Sequence, residues 1–289
     1  MRAAQPVSTD HVSRDGVRLG YEVFGHGDPT ILLLPTWTII HSRFWKMQVP
    51  YLSRHFRVIT YDGPGNGRTD RVTDPARYTG DAYAADAVAV LEACGVDTAV
   101  VVGLSKGAQY GLRLAALYPE RVLGLVMIGP ALPLGPPAPG REAIEEGFLK
   151  PYPESPQGWD KYNLAYWHAD YPDFVEFFFS QTFNEPHSTK PIEDAVGWAL
   201  EAGPEILEAD AKRPLLGLSG EEAFAGVDCP TLVIHGTKDR IQSHQIGVEA
   251  ARLSNGALAS LAGAGHIPNV RDPVRVNLLL REFVEGLIA

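Results

Sequence analysis

Of the 289 residues only two are cysteines, Cys94 and Cys229, far apart and in no C-x-x-C pair. That excludes a disulfide framework and offers no zinc spacing. His41 and His244 likewise lack partners at metal-ligand spacing, so neither a metal nor a cofactor is expected. Basic runs are missing too, and 25 Lys and Arg against 35 Asp and Glu leave a net charge of −10. Affinity for a phosphate backbone rests on clustered Lys and Arg, so nucleic acid is excluded as a partner and an anionic membrane surface is disfavoured. No apolar stretch approaches the roughly 20 residues that span a bilayer. Met1 to Arg14 is polar and lacks the apolar segment of a signal peptide, which makes the cytoplasm the expected location. No repeat of fixed period and no low-complexity tract is visible.

What is present is an ordinary globular composition, 45% hydrophobic and 21% charged, at a length suited to about two domains. Short β-branched runs alternate with longer amphipathic stretches, the pattern of βαβ units around a parallel sheet. Strands buried on both faces read as near-continuous apolar runs. Thr30–Leu34, Arg57–Tyr61, Ala99–Gly103 and Thr231–His235 fit, Val122–Ile128 fits less tightly, and Ala257–Leu261 follows. Val17–Phe24 alternates apolar and polar, as an antiparallel edge strand would. Helices are predicted over Asp81–Ala93, with Gly95 as its C-terminal cap, over Lys106–Tyr118, stopped by Pro119, and over Pro273–Ile288, opened by Asp272.

One segment breaks this rhythm. After Gly129-Pro130 come Pro133, Pro136, Pro137 and Pro139, and the alternation resumes only at Cys229-Pro230. Residues 131–219 therefore read as a mostly helical insertion, with a core formed by residues 1–130 and 220–289. Twelve of the 27 aromatic residues lie between Phe148 and Phe183. Most are expected to build the insertion's own small core, and some to line an apolar ligand cavity. The insertion also carries 15 acidic and 6 basic side chains, a net of −9. Solvated helix faces account for such a balance; if the acidic groups ring an entrance, they repel anionic substrates and draw cationic ones.

Chemistry is concentrated in three short segments. Gly103-Leu104-Ser105-Lys106-Gly107 is a G-x-S-x-G that follows an apolar run and precedes a helix. In that setting the serine sits on a tight strand-to-helix turn with its Oγ held clear of the sheet, as a nucleophile requires. A serine hydroxyl needs a base to take its proton and a carboxylate to orient that base. His266, in the loop Gly263-Ala264-Gly265-His266, and Asp239, past the end of the Thr231–His235 strand, are placed for these roles. His235 is expected to support the strand end that bears Asp239. Gly63-Pro64-Gly65-Asn66-Gly67 is not a nucleotide loop, because its spacing is wrong and no G-K-[ST] follows.

Nearly the whole chain outside the insertion resembles the α/β-hydrolase superfamily. The resemblance lies in this elbow, the Asp15-Gly16-Val17 and Tyr21 strand pair, the loop from Tyr61 to Asp70, Val233 to Asp239, and Gly263 to His266. It implies an α/β-hydrolase fold: a mostly parallel eight-stranded sheet flanked by helices, a Ser105–Asp239–His266 triad, and a helical cap inserted after the sixth strand. Members with an aspartate nucleophile are disfavoured by Ser105. Two departures stand out. Where many relatives carry His-Gly after the third strand, this chain has Pro35-Thr36-Trp37; Trp37 and Lys106 are expected to supply the backbone N–H groups of an oxyanion hole, with Thr36 an alternative to Trp37. Lys106 is charged where the family often has an apolar residue, and it reads either as a solvated helix-start lysine or as the partner of a carboxylate in the cap. The expected activity is serine hydrolysis of a carboxylic ester or lactone, small-molecule and apolar or bulky, and cationic if the acidic groups steer it. Thioester, amide or carbon–carbon hydrolysis, perhydrolysis, and a non-catalytic receptor are the alternatives. Oligomeric state is left open.

Overall fold

Asp15-Gly16, with φ of 48° and 80°, turns the chain back on itself at its start. Two successive positive φ values make a tight turn whose twist matches that of paired strands. It joins β1 (Ser8–Arg14) to β2 (Val17–Phe24), in antiparallel register from Arg14↔Val17 to Ser8↔Val23. β1 is thus the edge, and β2, expected there, is the second strand. Ser8–Arg14 escapes sequence reading because an edge strand open to water needs no apolar face, and its residues are exposed or half-buried. The computed structural model of the chain describes residues 4–213 and 220–288.

Six further strands complete the sheet: β3 (Thr30–Leu33), β4 (Arg57–Tyr61), β5 (Ala99–Leu104), β6 (Val122–Ile128), β7 (Thr231–Gly236) and β8 (Ala257–Leu261). Their order is β1-β2-β4-β3-β5-β6-β7-β8, parallel from β4 onward. Helices follow in the chain as α1 (Val49–Leu52), α2 (Gly80–Ala93), α3 (Lys106–Leu117), α4 (Ile144–Gly147), α5 (Leu164–Ala169), α6 (Tyr171–Thr182), α7 (Thr189–Leu200), α8 (Pro204–Ala211), α9 (His244–Leu253), α10 (Pro268–Arg271) and α11 (Pro273–Gly286). Asp272 caps α11 by accepting the Arg275 N–H at 3.3 Å. Among the described residues no helix is long and apolar enough to cross a membrane.

Alternate residues of the central strands feed two apolar clusters. Leu32, Val101 and Met127 face Ala84, Ala87, Val90 and Leu114 of α2 and α3. Ile31, Leu33, Val100 and Val126 face the other way, with Val276, Leu280 and Val284 of α11. Helices α4 to α8 all lie between β6 and β7, within residues 131–213; residue 219, the expected end of the insertion, lies outside the described residues. The insertion's aromatics do not form a separate core. Tyr166, Trp167, Phe174, Phe178 and Phe179 belong to the same buried cluster as Ile31 and Val100. Strand order reverses at β3, which has β4 on one side and β5 on the other. Open sheets leave a crevice beyond the carboxyl ends of strands at such a reversal.

Candidate active site

Ser105 stands at the carboxyl end of β5 with φ 55° and ψ −114°, and α3 begins at the next residue. Such a left-handed serine is strained, and the surroundings hold it. Its N–H donates to Ile128 O at 2.9 Å, and its carbonyl accepts from Ala108 and Ala131 N–H at 3.1 Å each. The flanking glycines follow from space. A Cβ on Gly103 would stand well under 3.0 Å from the Gly107 carbonyl, and one on Gly107 equally close to Pro35 O. The G-x-S-x-G pattern is thus the set of residues that lets β5, α3 and the β3 loop approach closely enough to present the serine.

His266 and Asp239 come together at the ends of β8 and β7. His266 Nδ1 lies 2.8 Å from Asp239 Oδ2. Asp239 Oδ1 accepts the N–H groups of Ile241 at 2.7 Å and Gln242 at 2.9 Å. A second imidazole, His235 Nε2, reaches Oδ2 at 3.0 Å and Gln242 O at 3.2 Å. Since both of those are acceptors, Nε2 of His235 carries the proton. Burial pushes the Asp239 carboxyl up, but the two histidines more than offset this and hold it well below the ordinary carboxylate range. An ionised Asp239 fixes the proton of His266 on Nδ1 and leaves Nε2 to accept. The ring rests on Gly129, where an added Cβ would meet Nδ1 at 3.3 Å.

Ser105 and His266 line one cavity with Thr36, Trp37, Lys106, Arg141, Tyr162 and Phe178, so strand ends and insertion build it jointly. Trp37 is largely buried, its ring centroid 4.4 Å from that of Phe178. Among the described residues no acceptor takes the backbone N–H of Trp37 or of Lys106. The hydroxyl of Thr36 is engaged, donating to Leu104 O at 3.0 Å.

Lys106 is not a solvated lysine. Its ammonium pairs with Asp210 of α8, a carboxylate only 1% exposed that also accepts Trp37 Nε1–H at 3.2 Å and faces Arg213 at 3.3 Å. Desolvation lowers the Lys106 pKa to about 8, with Asp210 opposing the fall. A cationic preference finds no support at the cavity wall. Among the described residues the charged side chains there are Lys106 and Arg141, and no carboxylate lines it.

The insertion also grips both functional loops. Asn184 Nδ2 donates to Lys238 O at 3.0 Å, and Gly265 N–H donates to Glu185 Oε1 at 2.7 Å. Asp210, Arg141, Asn184 and Glu185 went unnoticed in the sequence because each acts on a residue 54 to 104 positions away. The one available pointer was Lys106, a charge where an apolar residue is usual.

A family model described as alpha/beta hydrolase fold matches residues 29–273. A bifunctional esterase/perhydrolase of Acinetobacter calcoaceticus is 27% identical over 283 residues, covering 95% of this chain and 98% of that protein. A pimeloyl-[acyl-carrier protein] methyl ester esterase of Methylococcus capsulatus is 29% identical over 278 residues, covering 91% and 97%. Among solved structures, an esterase from a Rhodococcus species superposes with a TM-score of 0.79 at 24% identity, covering 98% of this chain and all of the other.

Proposed function

The chain belongs to the alpha/beta hydrolase family, and from that premise we propose that it is a serine hydrolase of carboxylic esters or lactones. The observation that carries this reading is the elbow itself: Ser105 is held at positive φ in the cavity that His266 also lines, with His266 tied to an ionised Asp239. Relatives that include esterases support the ester class.

In this mechanism His266 Nε2 takes the hydroxyl proton as Ser105 Oγ attacks the carbonyl carbon, and Asp239 stabilises the imidazolium. The carbonyl π pair moves to oxygen, where the free N–H groups of Trp37 and Lys106 stabilise it. His266 then protonates the departing alkoxide. Water, deprotonated by the same histidine, attacks the acyl-enzyme, and the acid leaves as Ser105 regains its proton. His235 is a positioning residue for Asp239. Residues 131–219 serve as the cap. The cavity beneath it holds about 90 Å³ and is partly open to solvent, so it encloses part of the substrate and the remainder extends through its mouth.

Ser105→Ala should lower kcat on a short-chain aryl ester by about 10⁶, and a fluorophosphonate should label the wild type but not the variant. Ester turnover undiminished in Ser105→Ala would refute the assignment.

A further inference from the structure

Arg141 brings a charge to the place where the acyl group would sit, and among the described residues it forms no ion pair with a carboxylate. It lines the cavity with Ser105 and His266. Its guanidinium stacks over Trp159, 4.7 Å from the ring centroid, and lies 5.8 Å from that of Tyr162. Nη1 donates to Ile241 O, which anchors the side chain beside the Asp239 loop. Nε is buried and finds no acceptor. Among the described residues no carboxylate forms an ion pair with this arginine, in contrast to Lys106, which Asp210 neutralises. Burial works against the guanidinium's charge, and Tyr162, Asp239 and Glu145 offset this only in part. A largely desolvated cation is expensive, and a ligand carboxylate reduces that cost by accepting a charge-assisted hydrogen bond from Nη2, the terminal nitrogen that Ile241 does not engage.

Resting on the serine-hydrolase reading above, we infer that Arg141 is the binding site for a free carboxylate on the substrate. The preferred substrate is then the monoester of a short dicarboxylic acid, or a lactone bearing a carboxylate. The aromatic floor of Trp159 and Tyr162 holds the guanidinium plane in place, and the Ile241 carbonyl takes Nη1 and leaves Nη2 for the ligand. The electrostatic preference inside the cavity is thus anionic, although the insertion's net charge is −9.

The test compares monomethyl glutarate with methyl valerate, of similar length but uncharged. Wild-type kcat/KM should favour the monoester roughly 10- to 100-fold, the range of one charge-assisted contact. Arg141→Gln should abolish that ratio, whatever its effect on the turnover of methyl valerate itself, and Arg141→Lys should retain part of it. Equal or lower activity on the monoester in the wild type overturns the proposal. So does an unchanged ratio in Arg141→Gln. Calorimetry of glutarate binding to Ser105→Ala reads the same site without turnover and without altering Arg141. Saturable binding supports the proposal, and its absence overturns it. Fluorophosphonate labelling of Ser105 is scored separately, so loss of the hydrolase reading is distinguishable from loss of the carboxylate site.

Discussion

Replacing Asp210 by Asn tests how the insertion is joined to the elbow. The carboxylate is buried and meets Lys106 Nζ, Trp37 Nε1 and Arg213 Nη1. Asn keeps the shape but removes the counter-charge from two cations. Breaking one side of a buried ion pair costs about 3–5 kcal/mol. Lys106 limits the loss. Its pKa is already about 8 with Asp210 raising it, so without Asp210 the ammonium sheds its proton near neutrality instead of remaining an isolated charge. We expect the lower end, about 3 kcal/mol, which at roughly 2–4 °C per kcal/mol is a fall in Tm of about 6–12 °C. Catalysis should suffer separately, because Asp210 touches both residues whose backbone N–H groups we propose for the oxyanion hole. A loss of at least 10-fold in kcat, with a smaller change in KM, is expected from a site where one missing donor costs about 10²–10³. Lys106→Met with Asp210→Leu removes the Lys106–Asp210 pair and should recover the share of the stability lost at Lys106, with Arg213 still lacking its counter-charge, giving a favourable coupling energy in the double-mutant cycle. Asp210→Asn melting within 1 °C of wild type, as measured by calorimetry, with unchanged kcat would refute the coupling.

Lys106 also predicts a pH dependence. Its folded pKa of about 8 lies below the ordinary 10.5, so between these values the unfolded chain binds more protons and unfolding free energy rises with pH. The gain over wild type minus Lys106→Met should approach about 3 kcal/mol between pH 7 and 10.5 at about 1.4 kcal/mol per unit; urea melts in which the difference stays flat would contradict it. At the elbow, Gly103→Ala drives a Cβ into the Gly107 backbone and should cost about 3 kcal/mol or more, or abolish soluble expression. Gly95→Ala, at φ 63° with open space around it, should cost only about 1–2 kcal/mol. Urea midpoints that rank the two equally would show that the approach of β5 to α3 is not what demands Gly103.

The central strands and the elbow were readable because both are written locally: a strand covered on two faces is a continuous apolar run, and a tight strand-to-helix turn needs small neighbours at fixed offsets. The same logic found His266 and Asp239 at strand ends. β1 was not readable, since Ser8–Arg14 gains its order from backbone pairing with β2 and not from an apolar pattern. Neither was the fate of Lys106, because Asp210 lies 104 residues away and only packing of α8 over the elbow brings them together. The aromatic cluster was visible as composition, but its merger with the sheet's own core depends on how the insertion docks.

That docking bears on how such an enzyme can be altered. The insertion holds Lys106 and Trp37 through Asp210, Lys238 through Asn184, Gly265 through Glu185 and Ile241 through Arg141. It is not an exchangeable module. A chimaera that transplants a relative's insertion onto this scaffold would strip the donor and acceptor partners from three loops at once. Its recipient would have to receive matching side chains at 37 and 106 in the same step, whereas a single substitution at the cavity wall leaves these ties in place.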